Sequence, residues 1–397
     1  MRILQGMDLD AIRAATPGCG HRIHLNNAGA ALMSQSTLDA VTGHLRLEAE
    51  IGGYEAAAAE RDAIDDAYAA LAALVGGRPD EIALFDNSTH AWNAALYSIP
   101  LKPGDRILTG VDEYGSGALA FMQVAARTGA ELVVVPDDAD GQLDVEALER
   151  LADERTKVIG LTWVPTGGGL VNPAARVGLV ARRVGAVYLL DATQVVGQFP
   201  VDVAALGCDF LTGTGRKFLR GPRGTGFLWV RDEVVPRLDP FVAEIASATW
   251  TGGLEFTWQR GAARFATWEH SYTNVLGLRA AVRQALDLGL DAIGTRAAAL
   301  GGELRDRLGA IPGVTTHDTG VEKCAIVTAT VAGRTVDEVQ AALARQGINV
   351  STTVTGHTPF RDVRPLVRFS PHYYNTAGEL DETIRAVERL AKENFRR

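Results

Sequence analysis

The apolar positions of this chain fall into short runs that alternate with longer stretches of helical pattern. Helices are predicted after four of these runs, beginning near positions 89, 115, 145 and 172. Strands that alternate with helices indicate a mainly parallel sheet with helices on both faces, an α/β fold. Ligands of such sheets bind at the carboxyl ends of the strands. The runs that predict strands are Ile82–Phe85, Arg106–Leu108, Glu131–Val135, Val158–Trp163 and Val187–Leu190.

The pattern differs on either side of this region. Positions 35–75 predict two helices broken at Gly52-Gly53, with Ser34 and Ser36 as candidate caps. From about Leu276 a long helical stretch is followed by a mixture of short strands and helices. We therefore expect an N-terminal segment (1–20) that packs with the small domain, a large domain (21–275) and a smaller α+β domain (276–397). The C-terminal strands are predicted at Ala325–Val331, Ile348–Val350 and Leu366–Phe369, and the helices at Thr335–Arg345 and from Thr376.

Composition narrows the class of protein. The 397 residues are too many for one small core, and 47% hydrophobic with 22% charged residues is ordinary for a soluble globular chain. A net charge of −9 argues against nucleic acid or a membrane surface as the partner. The N-terminus lacks the apolar core of a signal peptide, which makes the cytoplasm the expected location. Three scattered cysteines indicate neither a disulfide framework nor a metal site.

Lys217 is the most informative residue, because it lies in a glycine-rich stretch at 212–226 that follows Phe210-Leu211. Upstream, the run Val187–Leu190 ends at Asp191. Pyridoxal phosphate (PLP) chemistry requires a lysine that forms a Schiff base and an acid that keeps the ring nitrogen protonated. The alternatives are an exposed basic loop or an anion site. A nucleotide loop of the G-x-x-x-x-G-K-[ST] type is disfavoured, since Phe218 follows the lysine.

Other residues fit this interpretation, although each also has a simpler one. Ser88, Thr89 and His90 lie at a predicted helix start, where a phosphate or an ordinary N-cap is expected. Tyr114 follows a strand and either stacks on a cofactor ring or packs in a loop. Arg368 lies in an apolar strand, where either a substrate carboxylate or a structural ion pair satisfies the guanidinium group.

With these residues in hand, the chain resembles the fold-type I PLP-dependent enzymes. More narrowly, it is similar to the class V aminotransferase group, which includes cysteine desulfurases, isopenicillin N epimerase and C–S lyases. The resemblance runs from His24-Leu-Asn-Asn-Ala-Gly-Ala to the last helix. It implies a mainly parallel seven-stranded sheet flanked by helices, a smaller α+β C-terminal domain, and PLP as cofactor. It also implies a small amino-acid substrate and a homodimer with shared active sites.

The resemblance assigns roles to individual positions. For the cofactor, Ser88, Thr89, His90, Thr214 and Arg216 lie at the phosphate end, where desulfurases have histidine in place of Arg216. Tyr114 stacks on the ring, Asp191 pairs with the ring nitrogen, Gln194 contacts the phenolate oxygen and Lys217 is the Schiff-base lysine. Lys217, Asp191 and Tyr114 are the predicted catalytic residues. The predicted substrate-binding residues are Arg368 for the α-carboxylate, Asn27, Ala28, and Glu269 and His270 from the neighbouring subunit.

Two features narrow the expected reaction. The segment Thr355-Gly-His-Thr-Pro-Phe-Arg lacks the cysteine that desulfurases carry near a Gly-His pair, and Cys324 lies in an apolar run, so a desulfurase is disfavoured. The closest resemblance is to the C–S lyases of ergothioneine biosynthesis and to PLP enzymes acting on cysteine S-conjugates in lincosamide antibiotic biosynthesis. The expected reaction is β-elimination to thiol, pyruvate and ammonia. Decarboxylation with oxidative deamination is the alternative, followed by epimerisation or transamination. The motifs behind this are Glu113-Tyr-Gly, Arg216-Lys-Phe-Leu-Arg-Gly-Pro-Arg-Gly, Glu269-His270 and Arg368-Phe-Ser-Pro-His.

Overall fold

The chain begins with helices that lie outside the main sheet. The computed structural model describes residues 7–361 and 364–394, so the first six residues of the expected N-terminal segment lie outside it. Three helices, not two, occupy the 35–75 region, because a second break at Glu60 joins the predicted one at Gly52, whose φ is 99°. Ser34 caps the first of them and accepts from the Thr37 amide at 3.3 Å. The elements are α1 Leu9–Ala14, β1 Ile23–His24, α2 Gln35–Ile51, α3 Gly53–Ala59 and α4 Arg61–Val75.

A seven-stranded sheet forms the centre of the molecule, with the order β2-β8-β7-β6-β5-β3-β4. The neighbouring pairs from β7 to β4 are all parallel, whereas β8 is antiparallel to both of its neighbours. The apolar pattern had not singled out β8. The elements are β2 Ile82–Phe85, α5 Ser88–Tyr97, β3 Arg106–Gly110, α6 Gly115–Thr128, β4 Glu131–Val135, α7 Val145–Leu151, β5 Thr156–Thr162, α8 Ala174–Val184, β6 Val187–Asp191, α9 Val203–Leu206, β7 Phe210–Thr214 and β8 Gly226–Val230.

A second, four-stranded antiparallel sheet lies in the C-terminal part, with the order β11-β12-β15-β14. The strand predicted at 348–350 corresponds to β13, which pairs with β1, whereas a separate strand just after it, β14, joins this sheet. The long helical stretch breaks at Gly289, whose φ of 84° ends one helix and begins the next. The elements are β9 Ala248–Gly252, β10 Glu255–Trp258, α10 Tyr272–Leu288, α11 Leu290–Gly309, β11 Val314–Thr316, β12 Val327–Val331, α12 Val336–Arg345, β13 Ile348–Asn349, β14 Ser351–Thr352, β15 Val367–Phe369 and α13 Ala377–Asn394.

The start of the chain is joined to the C-terminal part, which carries the small sheet. The β1–β13 pair and the isolated bridge between Asn26 and Ser370 join the start of the chain to its C-terminal part. Arg13 on α1 reaches the same part through an ion pair with Glu379 at 2.9 Å. The domain boundaries themselves remain a prediction. No helix within the described ranges is long and apolar enough to cross a membrane.

Candidate active site

Lys217 and Asp191 meet in a cavity at the carboxyl ends of β6 and β7. Asp191 is the last residue of β6, and Lys217 lies three residues beyond the end of β7. Because the two strands are adjacent and parallel, their ends deliver both side chains to one place. Both residues line a cavity with about 660 Å³ of space between protein atoms, part of it open to solvent.

The surroundings of Lys217 favour its neutral amine. Burial, together with the charges of Arg216 and Arg368, lowers the lysine pKa to about 7, although Asp191 opposes the shift. Burial also raises the pKa of Asp191, while hydrogen bonds from Thr193 and the charge of Lys217 oppose it. An amine that titrates near neutrality serves both as a nucleophile and as a base.

The N-terminus of α5 forms the opposite wall of the cavity. Asn87 caps the helix by accepting from the His90 amide at 2.8 Å, so the helix begins at Ser88 with its first amides free to face a ligand. Ser88 and Thr89 line the cavity. The Ser88 hydroxyl is 2.6 Å from that of Thr193, which ties this helix start to the loop that carries Asp191.

Gln194 and Thr214 complete the wall near the two strand ends. Gln194 donates to the carbonyl of Ala28 at 3.2 Å and to the Thr166 hydroxyl at 3.3 Å. Its Oε1 is buried with no hydrogen-bond partner among the described residues. A buried acceptor without a donor is costly, so this oxygen fits a ligand that brings one. Thr214 donates to the carbonyl of Thr225 at 2.8 Å.

Arg216 points toward the start of the chain. Its guanidinium group donates to the carbonyl of Gly29, and burial lowers its pKa. The same group faces Lys217 and Arg368 closely enough to lower the pKa of both. Arg216 therefore adds positive charge to the cavity.

Arg368 is a buried arginine that pairs with no acid among the residues that the structure describes. Its Nη1 donates to the carbonyl of Thr166 at 2.9 Å and to the Thr166 hydroxyl at 2.6 Å, while Nε donates to Ser351 at 3.1 Å. None of the ion pairs found among the described residues includes Arg368, which is 6% exposed. Burial and the charge of Arg216 lower its pKa to about 10. A buried cation held only by neutral groups is a ready site for an anion.

Tyr114 is held in place by Glu113, a buried acid for which the sequence predicted no role. The Tyr114 amide donates to Glu113 at 3.0 Å and to Thr162 at 3.2 Å. Glu113 also accepts from the hydroxyls of Thr109 at 2.8 Å and Thr162 at 3.0 Å. Burial, with the charge of Asp191 adding to it, raises the pKa of Glu113 to about 7. The only sequence signal was its place in the Glu113-Tyr-Gly motif.

Asn27 and Ala28 lie behind the cavity, with their polar groups engaged in the fold. The Asn27 side chain donates to the carbonyl of Ser370 at 2.7 Å and accepts from Tyr374. The Ala28 amide donates to the Ser370 hydroxyl at 2.9 Å. Their backbone, through Ala28 and Gln194, supports the cavity wall, but neither residue lines it.

His90, Glu269 and His270 are not brought to the cavity of their own chain. His90 faces outward and pairs with Asp86 at 2.7 Å. All three residues line a second, larger cavity, whose apolar wall includes Phe241. Nearby, the β9–β10 hairpin leaves Trp250 and other large side chains exposed.

The three cysteines lie away from the cavity. Cys208 and Cys324 are buried, and burial raises the pKa of the Cys324 thiol to about 12. Burial also raises the pKa values of Cys208 and Cys19. The thiolate is the reactive form of cysteine, so none of these sites favours a sulfur nucleophile.

The sheet order, the lysine loop and the buried Arg368, which pairs with no acid in the described part of the chain, together define an α/β enzyme of the PLP-dependent kind. The model of the Aminotransferase class-V family matches residues 23–383, and the chain belongs to this family. The predicted fold class and the predicted PLP cofactor are thereby confirmed.

Individual relatives carry two different activities in their names. The chain is 33% identical over 383 residues to a probable hercynylcysteine sulfoxide lyase of Mycobacterium tuberculosis, covering 95% of this chain and 92% of that protein. It is 30% identical to a probable cysteine desulfurase of Xylella fastidiosa, covering 93% and 91%. A cysteine desulfurase structure from Thermococcus onnurineus has a TM-score of 0.90 at 22% identity, covering 99% of each chain, and therefore shows the fold alone.

The chemistry of the cavity fits PLP. A helix start that faces the cavity suits a phosphate, a carboxylate suits a protonated ring nitrogen, and a lysine with a lowered pKa suits a Schiff base. The unpartnered Gln194 oxygen is the observation in the fold that calls for a bound group. Gly226 at the start of β8 lets this strand approach the cap of α5, because a side chain there would overlap the backbone of Asn87.

Proposed function

We propose that this protein is a C–S lyase that eliminates the sulfur substituent of cysteine S-conjugates, giving a thiol, pyruvate and ammonia. The observation that carries the proposal is that Lys217 lines a cavity beside Arg368, which binds the cavity residue Thr166, and that none of the three cysteines lines this cavity. An amino acid needs a base at Cα and a cation for its carboxylate, and these two residues supply them.

PLP, when bound, supplies an electron sink for the pair left by the Cα proton. Ser88, Thr89 and Thr214 would hold its phosphate, Tyr114 would cover the ring, Asp191 would pair with the ring nitrogen and Gln194 with the phenolate oxygen. Arg216 would add positive charge beside them, with its own contact directed to Gly29.

Arg368 and Lys217 then have separate roles, in substrate binding and in proton removal. Arg368 fixes the carboxylate, and its bonds to Thr166 and Ser351 hold the guanidinium group in one orientation. That orientation sets which Cα bond faces Lys217. The neutral amine of Lys217, favoured by its low pKa, removes the Cα proton.

Buried cysteines argue against persulfide transfer, although several relatives are named cysteine desulfurases. A desulfurase needs an accessible sulfur nucleophile, whereas Cys324 is 4% exposed with a raised pKa. The segment at 355–361, which contacts the cavity wall, contains no cysteine.

Incubation with S-methylcysteine and S-phenylcysteine, followed by product identification, tests the proposal. We expect equal amounts of thiol and pyruvate, and none from the Lys217→Ala variant. Alanine with protein-bound persulfide, formed from free cysteine as a third substrate, would instead indicate a desulfurase. Carbon dioxide with loss of pyruvate would indicate the decarboxylating alternative.

We also propose a homodimer in which each active site is completed by the partner. The exposed apolar side chains of the β9–β10 hairpin and of Phe241 lie beside the second cavity, where His90, Glu269 and His270 also lie. Such a surface favours association with another copy.

Mixing two inactive variants tests the shared site. Lys217→Ala and His270→Ala subunits, allowed to exchange, form mixed dimers with one intact site in each. Recovery of about one quarter of the wild-type activity is expected from random pairing in a C2 dimer. A His270→Ala protein with full activity, or a monomer by light scattering, would contradict this arrangement.

A further inference from the structure

A short segment of the C-terminal part, residues 355–361, lies against the wall of the active-site cavity, where its His357 approaches the lining residue Tyr114. It follows β14 and contacts the start of α6 from above. Gly115 provides the room for this contact, since a side chain there would come within 2.5 Å of the Gly356 carbonyl. The segment therefore covers the residue next to Tyr114.

Ion pairs to the large sheet anchor the far end of this segment. Arg361 donates to Asp112 at 2.6 and 3.0 Å and pairs with Asp137 as well. Asp112 lies just after β3 and Asp137 just after β4, so one arginine binds two neighbouring strand ends. This anchor holds the segment in place beside Tyr114 and Gly115.

His357 is the side chain that the segment presents to the site. Its ring lies 6.3 Å from the ring of Tyr114, centre to centre. Its Nδ1 is buried and has no hydrogen-bond partner in the parts of the chain that the structure describes. Burial lowers the pKa of His357, and the nearby positive charges of Arg368 and Lys217 lower it further. A half-buried imidazole with an unused ring nitrogen thus faces the two residues assigned to the substrate.

We propose that His357 is a catalytic residue that protonates the departing sulfur. The inference rests on the proposed C–S lyase function and names the residue on the sulfur side of the substrate. Lys217 removes the Cα proton and Arg368 binds the carboxylate. The remaining part of the substrate, Cβ with its sulfur, is therefore the part that His357 contacts.

The step balances without an oxidant or a reductant. The Cα–H bond breaks and its proton goes to the Lys217 amine, while its electron pair becomes the Cα–Cβ double bond. The Cβ–S bond breaks with its pair on sulfur, and sulfur takes the proton of the His357 imidazolium. The substrate carboxylate on Arg368 offsets one of the two charges that disfavour this imidazolium. The cation formed on Lys217 then drives the proton toward sulfur.

The test is the dependence of elimination on the acidity of the leaving thiol, measured on the PLP-loaded enzyme. A good leaving group, such as a nitrothiophenol, departs without a proton, whereas an alkanethiol requires one. In His357→Gln we expect kcat/KM to fall by about 100-fold or more for S-alkylcysteines and by less than about threefold for S-nitrophenylcysteine. Val354→Ala, an exposed position of the same connection (48% exposed), is the matched control and should leave both rates unchanged.

Two further measurements distinguish a role of His357 as a general acid from a purely structural role. Exchange of the Cα proton with D₂O, followed by NMR, should persist in His357→Gln with S-alkylcysteines, because Lys217 is intact. Added imidazole should restore part of the lost rate in His357→Ala. Equal losses for both leaving groups, or loss of exchange in parallel with elimination, would overturn the role of His357 alone. A wild-type enzyme that releases no thiol from any member of the series would overturn both proposals.

Discussion

Arg368 on β15 donates to both the carbonyl and the hydroxyl of Thr166, in the loop after β5, at 2.9 and 2.6 Å. These bonds connect β15 of the small sheet to the loop at the carboxyl end of β5 in the large sheet. No acid within residues 7–361 and 364–394 pairs with this buried guanidinium group, so its charge is available to a ligand.

Arg368→Lys is expected to weaken binding of the substrate carboxylate, because lysine cannot keep the planar fork that Thr166 and Ser351 orient. The dissociation constant of an α-methyl S-alkylcysteine, which has no Cα proton to lose, should rise about 100-fold, or roughly 3 kcal/mol. Binding of the matching amine without a carboxylate should change little. Arg385→Lys, at an exposed position of α13, serves as control. Equal weakening of both ligands would contradict a carboxylate site.

The pKa of Lys217 should respond to its charged neighbours in the cofactor-free protein. Arg216→Gln removes a positive charge and should raise the lysine pKa above about 7, whereas Asp191→Asn should lower it further. The measurement is the pH dependence of acylation at Lys217 by mass spectrometry, since only the neutral amine reacts. Lys392, exposed on α13, provides an internal comparison in the same spectra. Identical profiles for both variants and the wild type would refute the assignment of these neighbours.

Glu113→Gln should make the stability of the cofactor-free protein depend differently on pH. Burial raises the pKa of Glu113 from 4.5 to about 7, so the folded state binds an extra proton between these values and loses stability as pH rises through them. Glutamine has no such loss. The variant should therefore gain up to about 3 kcal/mol relative to wild type between pH 5 and pH 8.

Urea unfolding at both pH values measures this difference. Glu81→Gln is the matched control, because Glu81 is also buried but pairs with Arg78 at 3.2 Å and accepts from Trp229 at 3.0 Å. That variant should lose stability at pH 8. A Glu113→Gln protein with the same relative stability at both values would show that Glu113 is ionised throughout.

Replacement of Cys324 should leave the reaction intact. The thiol is buried with a pKa of about 12 and lines a different cavity from Lys217. Cys324→Ala is expected to keep kcat/KM for thiol release within about twofold while costing on the order of 1 kcal/mol of stability. Loss of activity without unfolding, together with loss of a persulfide signal, would point back to a desulfurase.

The sequence alone determined the parts of this protein that depend on local pattern. Alternating apolar runs and helices predicted the parallel sheet, because period and flanking residues act over a few positions. The order of Asp191 and Lys217 along two strand ends predicted their meeting, since carboxyl ends of adjacent parallel strands share one edge. The same motifs showed the resemblance to the class V aminotransferase group, and this resemblance predicted PLP as the cofactor.

Only the tertiary structure decided what depends on residues far apart in the chain. Thr166 and Arg368 are 202 positions apart, and nothing in either local pattern shows that one binds the other. The same holds for Arg361 and Asp112, whose ion pair places His357 beside Tyr114. The local sequence placed His90 at a helix start, but only the structure shows that its ring pairs with Asp86 and does not line the cavity of Lys217. The buried acid at Glu113 was invisible because burial, which sets its pKa, is a property of packing and not of sequence.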